Sequence, residues 1–157
     1  MITEPLLHQL FVAAAARYPE RTAVVEPGSG SIRYGELDRL SDGFCQRLRR
    51  LGVGRGDRVL IYLRKSIDAV AAIYGVLKAG AAYVPVDPNA PVSRNAYIAR
   101  NCAVKVILVE RRFHEQLSVE LQAGGTPPAL LTLESVGNGD GLKAVLYGSG
   151  MPTAGGE

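Results

Sequence analysis

Cysteine is scarce in this chain: its 157 residues contain two, Cys45 and Cys102, far apart in sequence. No metal-binding spacing and no disulfide framework can be built from such a pair. Both are expected to sit reduced on helix faces as small apolar side chains. Long apolar runs are missing as well. Met1 to Leu10 lacks a basic start followed by an apolar stretch, which argues against a secretory leader, and no window is long enough to cross a bilayer. The expectation is a cytoplasmic protein with no membrane partner. An excess of one charge is also lacking, since 18 Lys and Arg face 15 Asp and Glu, for a formal net charge of +3. So small an excess does not point to nucleic acid as a partner. The one dense basic cluster is Arg47, Arg49, Arg50, Arg55 and Arg58. It alternates with leucine and glycine and reads as a solvated helix end rather than a phosphate patch. The two histidines, His8 and His114, read as lone surface or half-buried side chains. No nucleophile-elbow pattern is present.

What is there is a soluble, globular composition, 47% apolar and 21% charged, with length for about one domain and a real core. Leu6, Leu7, Leu10, Phe11 and Ala14 recur at helical spacing, with Thr3 as a cap and Pro5 in the first turn. Pro19 ends that helix. Residues 22–25 are β-branched and read as a strand. The turn 27–31 follows, and 32–34 return as the second arm of a hairpin. Next comes the clearest helix, with Leu37, Leu40, Phe44, Leu48 and Leu51 on one stripe and Asp38, Arg39, Asp42, Gln46 and Arg49 opposite. Gly52 can close it in the left-handed conformation.

From there strands and helices alternate. Residues 59–63 form an apolar run without alternation, which predicts a strand buried on both faces. Ser66 caps a helix to about Ala79, whose Ala69, Ala71, Ala72 and Gly75 permit close packing against a neighbour. Gly80 stops it. Strand 82–86, helix 91–102, strand 104–109, helix 112–121 and strand 129–133 complete the pattern. The predicted fold is α/β: a mainly parallel sheet flanked by helices, preceded by an N-terminal helix and a β-hairpin. Residues 1–136 are expected to form this subdomain. Residues 137–157 are expected to be a glycine-rich, flexible tail.

Three stretches in order resemble the N-terminal half of the adenylate-forming superfamily, which includes acyl-CoA synthetases, peptide-synthetase adenylation domains and carrier-protein ligases. The first is Ile32-Arg33-Tyr34-Gly35-Glu36-Leu37, with its helix. The second is Leu51-Gly52-Val53-Gly54-Arg55-Gly56-Asp57-Arg58-Val59. The third, Leu77-Lys78-Ala79-Gly80-Ala81-Ala82-Tyr83-Val84-Pro85-Val86-Asp87-Pro88, is similar to the family's second core motif nearly residue for residue. Stretches 94–98 and 102–105 share the family look, so the resemblance covers about residues 5–135. It is nearest in flavour to peptide-synthetase-like or carrier-protein ligases. In these motifs Gly80 ends a helix, Pro85 and Pro88 end a strand, and Asp87 can brace a turn through its own backbone. Tyr83 reads as a packing residue.

The resemblance implies a fragment of an AMP-forming ligase. The complete enzyme would activate an acyl or amino acid with ATP and magnesium as an acyl-adenylate, then transfer it to coenzyme A or a carrier protein. That chemistry requires a hydroxyl-rich glycine loop and a lysine on the phosphates. Two alignments fit the end of the chain. In one, Tyr147, Ser149 and Gly150 begin a degenerate loop in which Met151 and Pro152 replace hydroxyl residues and Gly156 replaces the lysine. In the other, 141–146 belong to a linker before the loop. Under either, no catalytic, cofactor-binding or metal-ligating residue is assigned, no cofactor is expected in the fragment, and the chain alone is expected to be inactive. The glycines of 52–56 follow a helix and enter a strand, the wrong context for a dinucleotide loop. The competing readings are a binding or self-association module built on the same half-fold and, last, a separate nucleotide-binding protein. Possible partners are a second copy of the chain or the remaining part of the ligase.

Overall fold

The computed structural model describes residues 5–148. Its elements run α1 (Leu7–Arg17), β1 (Thr22–Glu26), β2 (Gly30–Arg33), α2 (Tyr34–Arg50), β3 (Arg58–Tyr62), α3 (Ile67–Lys78), β4 (Ala82–Pro85), α4 (Val92–Asn101), β5 (Val106–Glu110), α5 (Arg111–Gln122), β6 (Ala129–Leu133) and α6 (Asp140–Tyr147). β1 and β2 form an antiparallel hairpin, and the other four strands make a parallel sheet in the order β4-β3-β5-β6. The α/β class, the N-terminal helix and the hairpin are as the sequence predicts.

Period-two alternation divides the core into two layers. Val59 and Ile61 of β3, Val106 and Leu108 of β5, and Leu131 and Leu133 of β6 face one layer, which α1, α2, α3 and α6 cover. Leu60 and Tyr62, Ile107 and Val109, and Leu130 face the other, covered by α4 and α5. Both central strands are buried on both faces, hence their unbroken apolar runs. α2 and α3 pack closely against each other. Gly75 lies so close to Phe44 and Ser41 that a Cβ there would sit 2.8 Å from the Phe44 ring and 3.0 Å from the Ser41 carbonyl oxygen. The small residues foreseen on α3 thus serve the close packing expected of them. Ser66 caps this helix, its Oγ accepting from the Ala69 amide at 3.1 Å.

Several expectations need correction. The apolar stripe of α1 turns Phe11 and Ala15 inward, while Leu6, Leu7 and Leu10 stand about 60% exposed. Aromatic stacking decides this facing: the Phe11 ring lies 4.2 Å from Tyr74 and 6.2 Å from Tyr34, centroid to centroid. The proposed cap Thr3 lies outside the described residues. Tyr34 opens α2 rather than ending the strand. Cys45 is a buried helix-face thiol, whereas Cys102 ends α4 half-buried.

The largest difference concerns the expected flexible tail from Gly137. Residues 140–147 are the helix α6, and its Leu142 is fully buried. Three glycines and a short apolar pattern hid it, because its capping groups come from distant parts of the chain. Residues 149–157, including the glycine loop with Met151, Pro152 and Gly156, lie outside the described residues. Among the described residues, no helix is long and apolar enough to cross a membrane.

Candidate functional site

Ligands of doubly wound sheets bind outside the carboxyl ends of the strands, where the winding reverses. Here that point lies between β3 and β5, because the chain goes from β3 outward to β4 and returns across β3 to β5. Three buried acids gather around this end of the sheet: Glu26 from the hairpin, Asp68 from the first turn of α3, and Glu110 from the end of β5. Glu110 Oε1 accepts the Arg64 amide at 2.6 Å, and its Oε2 accepts Arg112 Nε at 2.8 Å. Glu26 Oε2 accepts the amides of Ile67 and Asn138, each at 3.0 Å, and its Oε1 accepts Arg64 Nη1 at 3.1 Å. Asp68 Oδ2 accepts the Gly137 and Gly139 amides at 2.7 and 3.3 Å, and Oδ1 accepts Leu142 at 2.7 Å. A further bond runs from Arg64 Nη2 to the Val136 carbonyl.

The electrostatics follow from these partners. Burial by itself raises the Glu26 carboxyl, but the Ile67 and Asn138 amides and the Arg64 guanidinium hold it below its ordinary value. For Asp68 burial prevails and pushes the carboxyl up, against the amides of Leu142, Gly137 and Gly139. The cluster therefore ties the hairpin, the start of α3 and residues 136–142 together. It leaves little for a ligand to use. A triphosphate would need amide donors at this edge, and those of Ile67, Gly137, Asn138, Gly139 and Leu142 already serve carboxylates. Its charge would also face the like charge of Glu26. These five amides are thus already bonded within the fold. Among the described residues, no group of three or more His, Cys, Asp or Glu side chains could hold a metal ion.

The sequence motifs surround this node without entering it. Glu36 accepts the Arg33 amide at 3.1 Å, and Gly35 lies against Pro19. Asp57 closes its loop by accepting the Gly54 amide at 2.8 Å and pairs with Lys105 at 3.3 Å. Gly52 and Gly80 are left-handed, with φ of 81° and 78°. Asp87 accepts the Asn89 amide at 2.8 Å, the self-bracing foreseen for it, and Tyr83 packs half-buried against the first core layer. Of the arginine cluster, Arg49 donates to the Lys78 carbonyl and Arg58 to the Cys102 carbonyl, at 3.2 and 2.9 Å. These arginines serve helix ends. His8 is half-buried on α1, and His114 Nδ1 lies 2.7 Å from Thr132 Oγ1.

Sequence reasoning did not single out Glu26, Arg64, Asp68 or Glu110. An acid in the first turn of a helix reads as ordinary dipole compensation. The bond from Leu142 to Asp68 bridges 74 residues, and nothing in the local pattern signals it.

The chain is thus an α/β unit, a parallel sheet covered by helices on both faces, with its buried acids bonded to its own backbone. Residues 11–146 match the family model described as AMP-binding enzyme, and the chain belongs to that family. It is 43% identical over 102 residues to syringomycin synthase SyrB1 of Pseudomonas syringae pv. syringae, covering 65% of this chain and 16% of that protein. It is 41% identical over 111 residues to an L-proline–[L-prolyl-carrier protein] ligase of Pseudomonas fluorescens, covering 70% of this chain and 22% of the ligase. Among solved structures, a nonribosomal peptide synthetase, FmoA3, superposes with a TM-score of 0.73 at 31% identity, over 84% of this chain and 14% of that one. The chain thus spans less than a quarter of each of these proteins.

Proposed function

We propose that this chain is the N-terminal, architectural part of an AMP-forming ligase and is inactive by itself. In the complete enzyme a carboxylate, acyl or amino, attacks the α-phosphate of ATP and releases pyrophosphate. The resulting acyl-adenylate then passes its acyl group to a thiol and releases AMP. Two findings support the ligase assignment: the family match over residues 11–146 and the carrier-protein ligase among the relatives. That relative favours a carrier protein over coenzyme A as acceptor, and a cytoplasmic setting suits either. One observation carries the inactivity: Glu26, Asp68 and Glu110, the buried acids at the carboxyl end of the sheet, all hold backbone of the fold. The test is carboxylate-dependent ATP–pyrophosphate exchange by the purified chain. No exchange above the protein-free background is expected, and measurable exchange refutes the proposal.

A second reading draws on Leu6, Leu7 and Leu10, exposed together at the start of α1. They favour a non-catalytic self-association or binding module. Light scattering separates the two, since a concentration-independent monomer mass refutes self-association.

A further inference from the structure

We propose that Asp68, with Glu26 and Arg64, caps α6 from across the fold, so that residues 136–147 form a strap that opens as one unit. The inference rests on geometry and does not depend on the ligase reading.

An isolated helix of eight residues does not persist in water. α6 has that length, and its N-cap is Gly139, which has no side-chain oxygen to offer. A helix normally has its third amide satisfied by the N-cap side chain. Here Leu142 holds that position, and Asp68 Oδ1 accepts its amide at 2.7 Å. The missing cap is thus supplied by the first turn of another helix. The turn before α6 is as dependent on outside support. Gly137, Asn138 and Gly139 have φ of 145°, 57° and 83°, a run that glycine and asparagine tolerate, but none of their three amides has a backbone acceptor. Asp68 Oδ2 holds the first and last of their amides and Glu26 the middle one, while Arg64 binds the Val136 carbonyl. Three side chains from two other elements and a connecting loop therefore satisfy residues 136–142.

The strap's other attachment is modest. Leu142 is its one fully buried large side chain, and Val145 and Leu146 are half-buried, whereas every residue of β5 is buried. Segments with few buried apolar contacts open before the global unit does. Opening here requires the three anchoring side chains to release together, which makes the strap cooperative rather than frayed.

Hydrogen exchange on the 157-residue chain tests this. In the wild type, the amides of 139–147 are expected to exchange through one shared opening, faster than those of β3 and β5. In Asp68→Asn, the new NH2 must face an amide donor, either Leu142 or the Gly137 and Gly139 pair. Strap exchange is expected to accelerate by about tenfold to a hundredfold, and β5 exchange by less than about threefold. Should Asp68→Asn fail to fold, Glu26→Gln carries the same comparison, with selective acceleration of about threefold or more in the strap. Wild-type strap amides as protected as those of β5, or a variant that accelerates strap and sheet equally, overturns the proposal.

Discussion

Gly75→Ala tests the packing that sets the whole first layer. In a solvated helix this change gains roughly 1 kcal/mol, because alanine loses less backbone entropy than glycine. At Gly75 the added methyl would lie 2.8 Å from Phe44 Cδ1, 3.0 Å from Phe44 Cβ and 3.0 Å from the Ser41 carbonyl oxygen. Phe44 is fully buried, and the Ser41 carbonyl belongs to the backbone of α2. Relief requires α2 and α3 to separate. Over-packing of this kind costs about 1–3 kcal/mol, and with rigid backbone in the way the upper part of that range applies. Less the propensity gain, the net loss is about 1–2 kcal/mol, or roughly 2–8 °C in Tm for a chain of this size. Urea unfolding should show a lower midpoint with an unchanged m-value. Adding Phe44→Leu should recover part of the loss, giving a favourable coupling in a double-mutant cycle. A midpoint at or above that of the wild type refutes the argument, because propensity would then have outweighed the clash.

Tyr62 stacks on Phe113 with ring centroids 4.6 Å apart, yet its buried hydroxyl finds no partner among the described residues. Tyr62→Phe keeps the stack and removes an unsatisfied polar group, so thermal melts should show equal stability or a gain of up to about 1 kcal/mol. A loss larger than that contradicts the reading. Glu26 has a lowered carboxyl pKa in the fold, so its contribution is present above the ordinary carboxylate value and fades as pH falls through the lower folded value. The urea-midpoint difference between wild type and Glu26→Gln should therefore be largest near neutrality and shrink on acidification. Asp68, whose folded value is raised, works in the opposite sense and loses stability as pH rises through its titration. It is common to both proteins and largely drops out of the comparison. A difference that widens in acid refutes the assignment.

Much of the architecture was legible before any coordinates. The runs Val59-Leu60-Ile61-Tyr62-Leu63 and Val106-Ile107-Leu108-Val109 announce strands covered on both faces. The stripe of Leu37, Leu40, Phe44 and Leu48 announces α2, and Gly80, Pro85 and Pro88 mark where elements end. These signals are local: hydrophobic period, capping and breaker residues act within a turn or two of the chain. Family membership was legible for the same reason, since its motifs are contiguous stretches of such residues.

The facing of α1 and the very existence of α6 were decided at longer range. Both faces of α1 are apolar enough to be buried, and stacking of Phe11 on Tyr74 selects one of them. α6 forms at a glycine-rich stretch because Asp68 and Glu26, 74 and 112 residues from their partners Leu142 and Asn138, satisfy the amides that its own N-cap cannot. Period and propensity thus specify which segments are helix or strand wherever a segment can satisfy its own backbone. Where it cannot, the tertiary fold supplies the missing acceptor and with it the element.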